Sequence, residues 1–305
     1  MSDSTTIEWT DSTWNPVTGC TKVTPGCDNC YAETFAERWR GTAGHHFENG
    51  FDLTLRPNAL TMPLRWRKPR KVFVNSMSDL FHKDVPDSYI AQVFAVMAKT
   101  PQHTYQVLTK RHGRMRSLIG TLIDGGQNLI EAAPDEETTQ TLYDAAWPLP
   151  NVWLGVSVED QKRADLRIPA LLETAAAVRF LSCEPLLGPV DLVGPDHENH
   201  DRDWDGANYI CLDCSTDNNT VAWRVADKTM AGINWVIAGG ESGPGARPMS
   251  PDWARSLRDQ CTQANVPFLF KQLGTVAARE LGFRGKGTDL EQIPADLRIR
   301  EFPRV

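Results

Sequence analysis

The sequence predicts an α/β chain whose βα units close as a partial or full parallel βα (TIM-like) barrel. Three observations predict it. Six short β-branched or aromatic runs alternate with longer amphipathic stretches. The runs are almost continuously apolar, as strands covered on both faces are. Nearly every run ends, at its C-terminal edge, in polar or ionisable residues.

The runs are 71–77 (KVFVNSM), 105–110 (YQVLTK), 152–158 (VWLGVSV), 178–183 (VRFLSC), 233–240 (INWVIAGG) and 267–273 (PFLFKQL), with a seventh strand expected just before Cys20. Helical patterns lie between them. Ala32, Phe35, Ala36 and Trp39 fall on one stripe of 31–40, and Ile90, Val93, Phe94 and Met97 on one stripe of 87–99. Ser250, Pro251 and Asp252 supply an N-cap, a first-turn proline and a first-turn acid, and Trp253, Leu257 and Cys261 follow at i, i+4 and i+8.

The polar strand ends are Asn75, Ser76, Ser78 and Asp79; Thr109, Lys110 and Arg111; Ser157 and Glu159; Ser182, Cys183 and Glu184; Glu241 and Ser242; and Lys271 and Gln272. A βα barrel assembles its active site from several such ends, whereas an open doubly wound sheet gathers fewer at its switch point. Wet loops alone would also make strand ends polar. Two segments interrupt the alternation. Residues 120–150 read as a surface excursion, and 188–232, too long for an ordinary loop, as an acidic Cys-containing insertion into a single barrel domain spanning 1–305.

A chain of 305 residues, 41% hydrophobic and 23% charged, with mean hydropathy −0.39, can bury a sizeable core. No apolar run reaches membrane-span length and the N-terminus lacks a secretion signal, so the expected location is cytoplasmic, with no membrane partner. The net charge of −7 is concentrated. Between Asp191 and Asp213 seven acids face one base, a balance of −6. The near-neutral remainder holds two basic clusters, Arg65/Arg67/Lys68/Arg70/Lys71 and Lys110/Arg111/Arg114/Arg116, which either meet phosphates or form solvated faces.

Seven cysteines, an odd number, read poorly as disulfides in a reducing compartment. Cys20, Cys27 and Cys30 form C-x6-C-x2-C, with glycines and prolines that let the backbone wrap around a metal. The segment enters the 31–40 helix, so Cys30 is placed at a helix N-terminus, which favours an anionic metal centre. Two readings stay open. His45 or His46 completes a structural Cys3His zinc site, or three thiolates hold a 4Fe–4S cluster whose fourth iron is open to a small ligand.

The strings GCTKVTPGCDNCYAE, LSCEPLLGPVDL, WVIAGGESGPGARPM and FLFKQLG resemble the three-cysteine-motif phage proteins, a family of unknown function that is similar to radical S-adenosylmethionine enzymes. The resemblance implies a barrel of the radical-SAM type with a 4Fe–4S cluster on Cys20, Cys27 and Cys30. It further implies S-adenosylmethionine bound to the open iron, an electron donor, and a 5′-deoxyadenosyl radical as the reactive product. Under it, Ser76 and Asp79 meet the cofactor's amino group, Ser157 and Glu159 its ribose, and Gly239 and Gly240, with Glu241, the adenosyl group. The sequence departs from the usual C-x3-C-x2-C, and Asn75-Ser76-Met77-Ser78-Asp79 stands where a Gly-Gly-Glu string is expected.

Further candidates follow from the residues themselves. Cys211 and Cys214, preceded by His197 and His200, give H-x2-H-x10-C-x2-C, either a second zinc site stapling the insertion or incidental residues in a polar run. Cys183 at a strand end is a candidate hydrogen-atom donor or an inert core thiol. Glu184 and Lys271 are candidate catalytic residues; the alternative for Glu184 is an ion pair with a strand-end base such as Lys271. The segment Gly239–Gly245 makes room for a ligand without matching a P-loop, and Lys110-Arg111 is a candidate phosphate contact. The expected function is a radical-SAM-like enzyme acting on a nucleotide, DNA or RNA. The alternative is a non-catalytic zinc-stabilised nucleic-acid-binding protein.

Overall fold

The computed structural model describes residues 5–192 and 232–304, and the backbone of 202–204 and 209–211. Its strands are β1 (Ser12–Trp14), β2 (Val17–Thr18), β3 (Thr54–Leu55), β4 (Lys71–Val74), β5 (Thr104–Thr109), β6 (Val152–Ser157), β7 (Val178–Cys183), β8 (Arg202–Trp204), β9 (Tyr209–Cys211), β10 (Trp235–Gly239) and β11 (Phe268–Gln272). Its α-helices are α1 (Tyr31–Glu37), α2 (Pro57–Leu60), α3 (Asp87–Ala98), α4 (His112–Ile119), α5 (Gln127–Glu131), α6 (Glu136–Asp144), α7 (Gln161–Glu173), α8 (Pro251–Gln263) and α9 (Thr275–Glu280).

All six expected strands form. The strand expected just before Cys20 is the short β2, outside the main sheet, and that sheet's seventh strand is the earlier β1. The seven hydrogen-bond in the order β1-β4-β5-β6-β7-β10-β11, and the registered neighbours run parallel. The order follows the chain without reversal. A doubly wound sheet would turn back at a switch point, so this progression is compatible with a partial βα barrel. Every residue of β6 and β10 is buried, which is why these runs read as continuously apolar. The short pairs β2-β3 and β8-β9 are antiparallel and lie outside this sheet.

The chain divides into two compact units. The first comprises Met1–Val156 and Glu173–Arg179. There α3 buries the expected Ile90, Val93, Phe94 and Met97. Residues 120–150 are more than a surface excursion. They form α5 and α6, which bury Leu129 and Leu142, and Trp147 stacks on Phe94 of α3 with centroids 6.3 Å apart. Asp135 caps α6 by accepting from the Thr138 N–H at 2.8 Å. The stripe expected on 31–40 is cut short: α1 ends at Glu37 and buries Ala32 and Ala36, leaving Phe35 44% and Trp39 38% exposed. Trp39 stacks on His45 at 4.2 Å instead.

The second unit comprises Ser157–Leu172 and Phe180–Val305. Ser250 caps α8 as expected, accepting from Asp252 N–H at 3.3 Å. The helix buries Ala254, Leu257 and Cys261, with Ala254 taking the inward place expected of Trp253. The C-terminal segment is tied to the strands by Phe270 N–H to Ile299 C=O (2.9 Å) and Trp235 Nε1–H to Glu301 C=O (2.8 Å). Leu257→Ala should lower stability by about 2–5 kcal/mol, whereas Ile123→Ala, at a site 99% exposed, should change it by less than about 0.5 kcal/mol. Denaturant midpoints at unchanged m-value check both.

Candidate functional site

In the first unit a polar cluster forms where β4 and β5 end. Asp79 is buried, and its carboxylate accepts four hydrogen bonds: from Phe81 N–H (3.0 Å), Thr109 Oγ1–H (2.7 Å), Lys110 N–H (3.0 Å) and Arg111 Nη1–H (3.0 Å). Arg111, anchored this way, donates from Nη1 to Cys20 Sγ at 3.4 Å and from Nη2 to Thr21 O and Oγ1 at 2.9 and 3.1 Å. Asp84 N–H donates to His82 Nδ1 at 3.2 Å, so Nε2 carries the proton given to Thr21 Oγ1 at 2.8 Å.

The Cys20 loop is fixed from both sides. Gly19 sits at φ +82, its N–H bonds Met77 C=O at 3.0 Å, and a Cβ there would lie 2.2 Å from Asp52 O, so only glycine fits. Asn15 Oδ1 accepts from Ser76 Oγ–H (3.2 Å) and Met77 N–H (3.0 Å), and Tyr31 O–H donates to Ser76 C=O at 2.5 Å. Burial pushes the Cys20 thiol up to about 11, with Asp79 adding to the rise and Arg111 opposing it. Cys27 ends a short 3-10 turn and Cys30 is the N-cap residue of α1, as the sequence implied.

Asn75, the residue directly after β4, is 2% exposed at φ +58, and neither its carboxamide N nor O has a partner among the described residues. A buried polar group left so costs about 1–3 kcal/mol, and a ligand bearing both a donor and an acceptor would relieve it.

Cys20, Cys27 and Cys30 are free thiols, each partly exposed. Three soft sulfur donors on one loop, with a guanidinium against one of them, fit an iron or zinc centre in donor chemistry. Among the described residues no three His, Cys, Asp or Glu side chains are drawn into a metal-holding group. His45 and His46 stack on each other at 4.5 Å, with Trp39 and Phe47 on either side.

In the second unit the strand-end carboxylates are held by cations. Glu159 is buried and accepts from Arg167 Nη1 at 2.7 Å, the same nitrogen that donates to Ser157 C=O at 2.6 Å. Glu241 takes Arg247 through Nη2 (2.6 Å), Nε (2.9 Å) and the backbone N–H (2.8 Å). Glu184 pairs with Lys271 at 3.2 Å, and its Oε2 lies 3.5 Å from Ser182 Oγ. Cys183 is fully buried, which raises its thiol well above the usual range, so it packs as a core thiol.

The structure thus brings the candidate residues together in two groups and gives several of them structural work. Asp79 and Glu241 are filled by several of the chain's own donors each, and Glu159 is paired with Arg167. The room made by Gly239 and Gly240 is taken up within the chain: a Cβ on Gly240 would lie 2.1 Å from Leu273 O, and one on Gly239 2.8 Å from Glu184 Oε1. Arg111, expected at a phosphate, faces the Cys20 loop. Its neighbours are committed too, Arg114 to Asp87 and to the His82 and Val85 carbonyls, and Arg116 to Glu173. His82, Arg167 and Arg247 went unremarked in the sequence, because their partners lie across turns that follow no periodic spacing. His197, His200 and Cys214, like the side chain of Cys211 and most of 188–232, lie outside the described residues.

Fold and site define a parallel α/β protein with a thiol-bearing loop at its strand ends. A family model for proteins of unknown function, DUF5131, matches residues 4–296, and the chain belongs to that family. No curated protein and no solved structure matches it. Among the described residues no helix is long and apolar enough to cross a membrane.

Alkylation of the folded, metal-free protein, read residue by residue by mass spectrometry, should label Cys27 and Cys30 first, Cys20 more slowly because burial raises its thiol, and Cys183 and Cys261 only after unfolding. Burial, and next the Arg111 charge, hold the His82 imidazole below its usual value of 6.5. The unfolded chain therefore takes up this proton first, and the stability His82 contributes is present above that value and lost as pH falls below it. Denaturant midpoints measured from about pH 7.5 down to about pH 5 should fall, and His82→Gln should flatten the decline.

Proposed function

We propose that this chain is an iron–sulfur enzyme of the radical S-adenosylmethionine type, on the corresponding form of the partial βα barrel, with Cys20, Cys27 and Cys30 holding a 4Fe–4S cluster. The observation that carries the reading is the Arg111 guanidinium, locked on buried Asp79 and donating to Cys20 Sγ at 3.4 Å. A metal-bound thiolate is anionic, and a pre-oriented cation in a partly dry site is what stabilises such a charge. When bound, the cluster supplies one electron, taken from an external donor, to the sulfonium bond of S-adenosylmethionine.

The chain's own residues prepare that site. Gly19, Asp52 and Met77 fix the course of the loop entering Cys20, and neutral His82 orients Thr21 through Nε2–H. Asn75 offers an unpartnered donor and acceptor to the amino-acid end of the cofactor, beside Ser76. Glu159 and Glu241, neutralised by Arg167 and Arg247, hold their strand ends in place rather than meeting ribose directly. Glu184 and Lys271 form a strand-end acid–base pair with both members partly open, so they are the proton-handling pair for the substrate. The resemblance to phage proteins favours a nucleotide or nucleic-acid substrate and a cytoplasmic setting.

Anaerobic purification should give brown protein with about four irons and about four sulfides per chain, and a strong reductant should drive cleavage of S-adenosylmethionine. Cys27→Ser should abolish both the iron and the cleavage. Colourless protein that carries zinc, for which Cys27→Ser only lowers stability, would instead establish the zinc-stabilised nucleic-acid-binding reading.

A further inference from the structure

Arg111, Arg114 and Arg116 of the second basic cluster are committed to internal carboxylates, which leaves open where a phosphate would be held. A different part of the second unit has the required features. A cavity of about 520 Å³ is lined by Ser242 and Gly243 from the glycine-rich segment after β10, by Thr275 and Arg279 of α9, and by Phe283, Arg284, Gly285 and Lys286. We propose that this cavity binds a nucleotide, with its phosphate on the cations and its base on Phe283. The proposal deepens the function above and rests on that reading only in calling the ligand a substrate.

Three observations carry it. Arg279 and Arg284 are exposed and make no ion pair with any described residue, in contrast to Arg111, Arg114, Arg116, Arg167 and Arg247. Together with Lys286 they put three cations around one concavity, and guanidinium groups match phosphate oxygens in pairs. Second, the glycines of this wall differ from those packed against the chain. A Cβ on Gly243 (φ +100) or Gly285 (φ +80) would meet nothing within 4 Å, so the backbone there borders open space. Gly243 N–H donates to Thr275 Oγ1 at 3.0 Å, which leaves the Thr275 hydroxyl proton free to donate to a ligand. Third, Phe283 is a half-exposed aromatic ring lining the same space as the cations, the combination on which a base stacks while its phosphate is neutralised. The volume lies in the range of small-molecule sites, about 300–1,000 Å³.

The test is binding of three probes to the full chain: inorganic pyrophosphate and ATP by calorimetry, and a fluorescein-labelled single-stranded DNA 12-mer by anisotropy. Arg279→Glu/Arg284→Glu, at two exposed positions, should weaken every probe that binds by at least about tenfold at about 50 mM salt, while Arg65→Glu/Arg67→Glu should change it less than about twofold. Phe283→Leu should weaken ATP or the 12-mer and leave pyrophosphate unchanged. ATP without the 12-mer identifies a free nucleotide as the ligand; the 12-mer with or without ATP identifies a strand. The proposal is overturned if no probe binds at millimolar concentration, or if charge reversal at 279 and 284 has no more effect than at 65 and 67. Equal losses of pyrophosphate and ATP in Phe283→Leu would overturn the base contact. Iron content decides the metal reading separately, since phosphate binding without iron would leave the cavity and remove the cluster.

Discussion

The buried carboxylate of Asp79 is the constraint on which the arrangement of the first unit depends. It accepts at once from the end of β5, from the turn after β4 and from the Arg111 side chain. Two backbone N–H groups and a hydroxyl satisfy it before the guanidinium arrives, so Arg111 is oriented by a charge that cannot swing away. A lone buried carboxylate would be expensive, and a lone buried guanidinium equally so. Their mutual satisfaction leaves one guanidinium edge and one nitrogen's second hydrogen to face the Cys20 loop. The thiol therefore meets a cation whose position is set by strand ends rather than by the loop itself, and loop movement need not disturb it.

The second unit repeats the logic with different residues. Glu159 with Arg167 and Glu241 with Arg247 are strand-end carboxylates closed by arginines from the following segment. Each pair ties a loop back to the strand it leaves, at the edge where a parallel sheet's backbone carbonyls and amides run out of partners. The Glu184–Lys271 pair differs. Both side chains keep some exposure, the lysine offers a point charge rather than a fork, and one Glu184 oxygen lacks a hydrogen bond of good geometry. Looser pairing at a strand end is consistent with a group that exchanges partners, whereas the Arg247 fork and the buried Arg167–Glu159 pair are consistent with scaffold.

Much of the fold was legible because parallel strands buried on both faces leave a run-length signal that does not depend on partners. The strands at 152–157 and 178–183 are bounded almost as their apolar runs are, and the α3 stripe is buried residue for residue. Helix faces were less secure where a small residue could do the packing, as with Ala254 beside Trp253, or where the helix stopped early, as after Glu37. In the site, residue type identified which positions are polar but not which partner satisfies them. Asp79 and Arg111 are 32 residues apart, and nothing in their spacing says that the arginine turns toward a cysteine instead of a phosphate. The helices within 120–150 were not legible for a related reason: they are short and polar, and it is contact with α3 that orders their few buried residues.

The glycine-rich segment after β10 shows how one string can serve opposite physical purposes. Gly240 lies so close to β11's end that a single added carbon would collide with the Leu273 carbonyl, and Gly274 likewise approaches the Glu241 carbonyl. These two are internal fasteners, and a ligand has no room beside them. Three residues on, Gly243 has the same composition and a positive φ but faces nothing. The transition falls where Glu241 is clamped by Arg247, so the segment is rigid on its strand side and open on its loop side. Rigidity on one flank is what lets an open backbone and its neighbouring cations hold a fixed shape, since a binding wall gains affinity from being ordered in advance. The residues best read as ligand-facing are therefore displaced from the strand end proper to the first turn beyond it, where packing ceases to dictate the side chains.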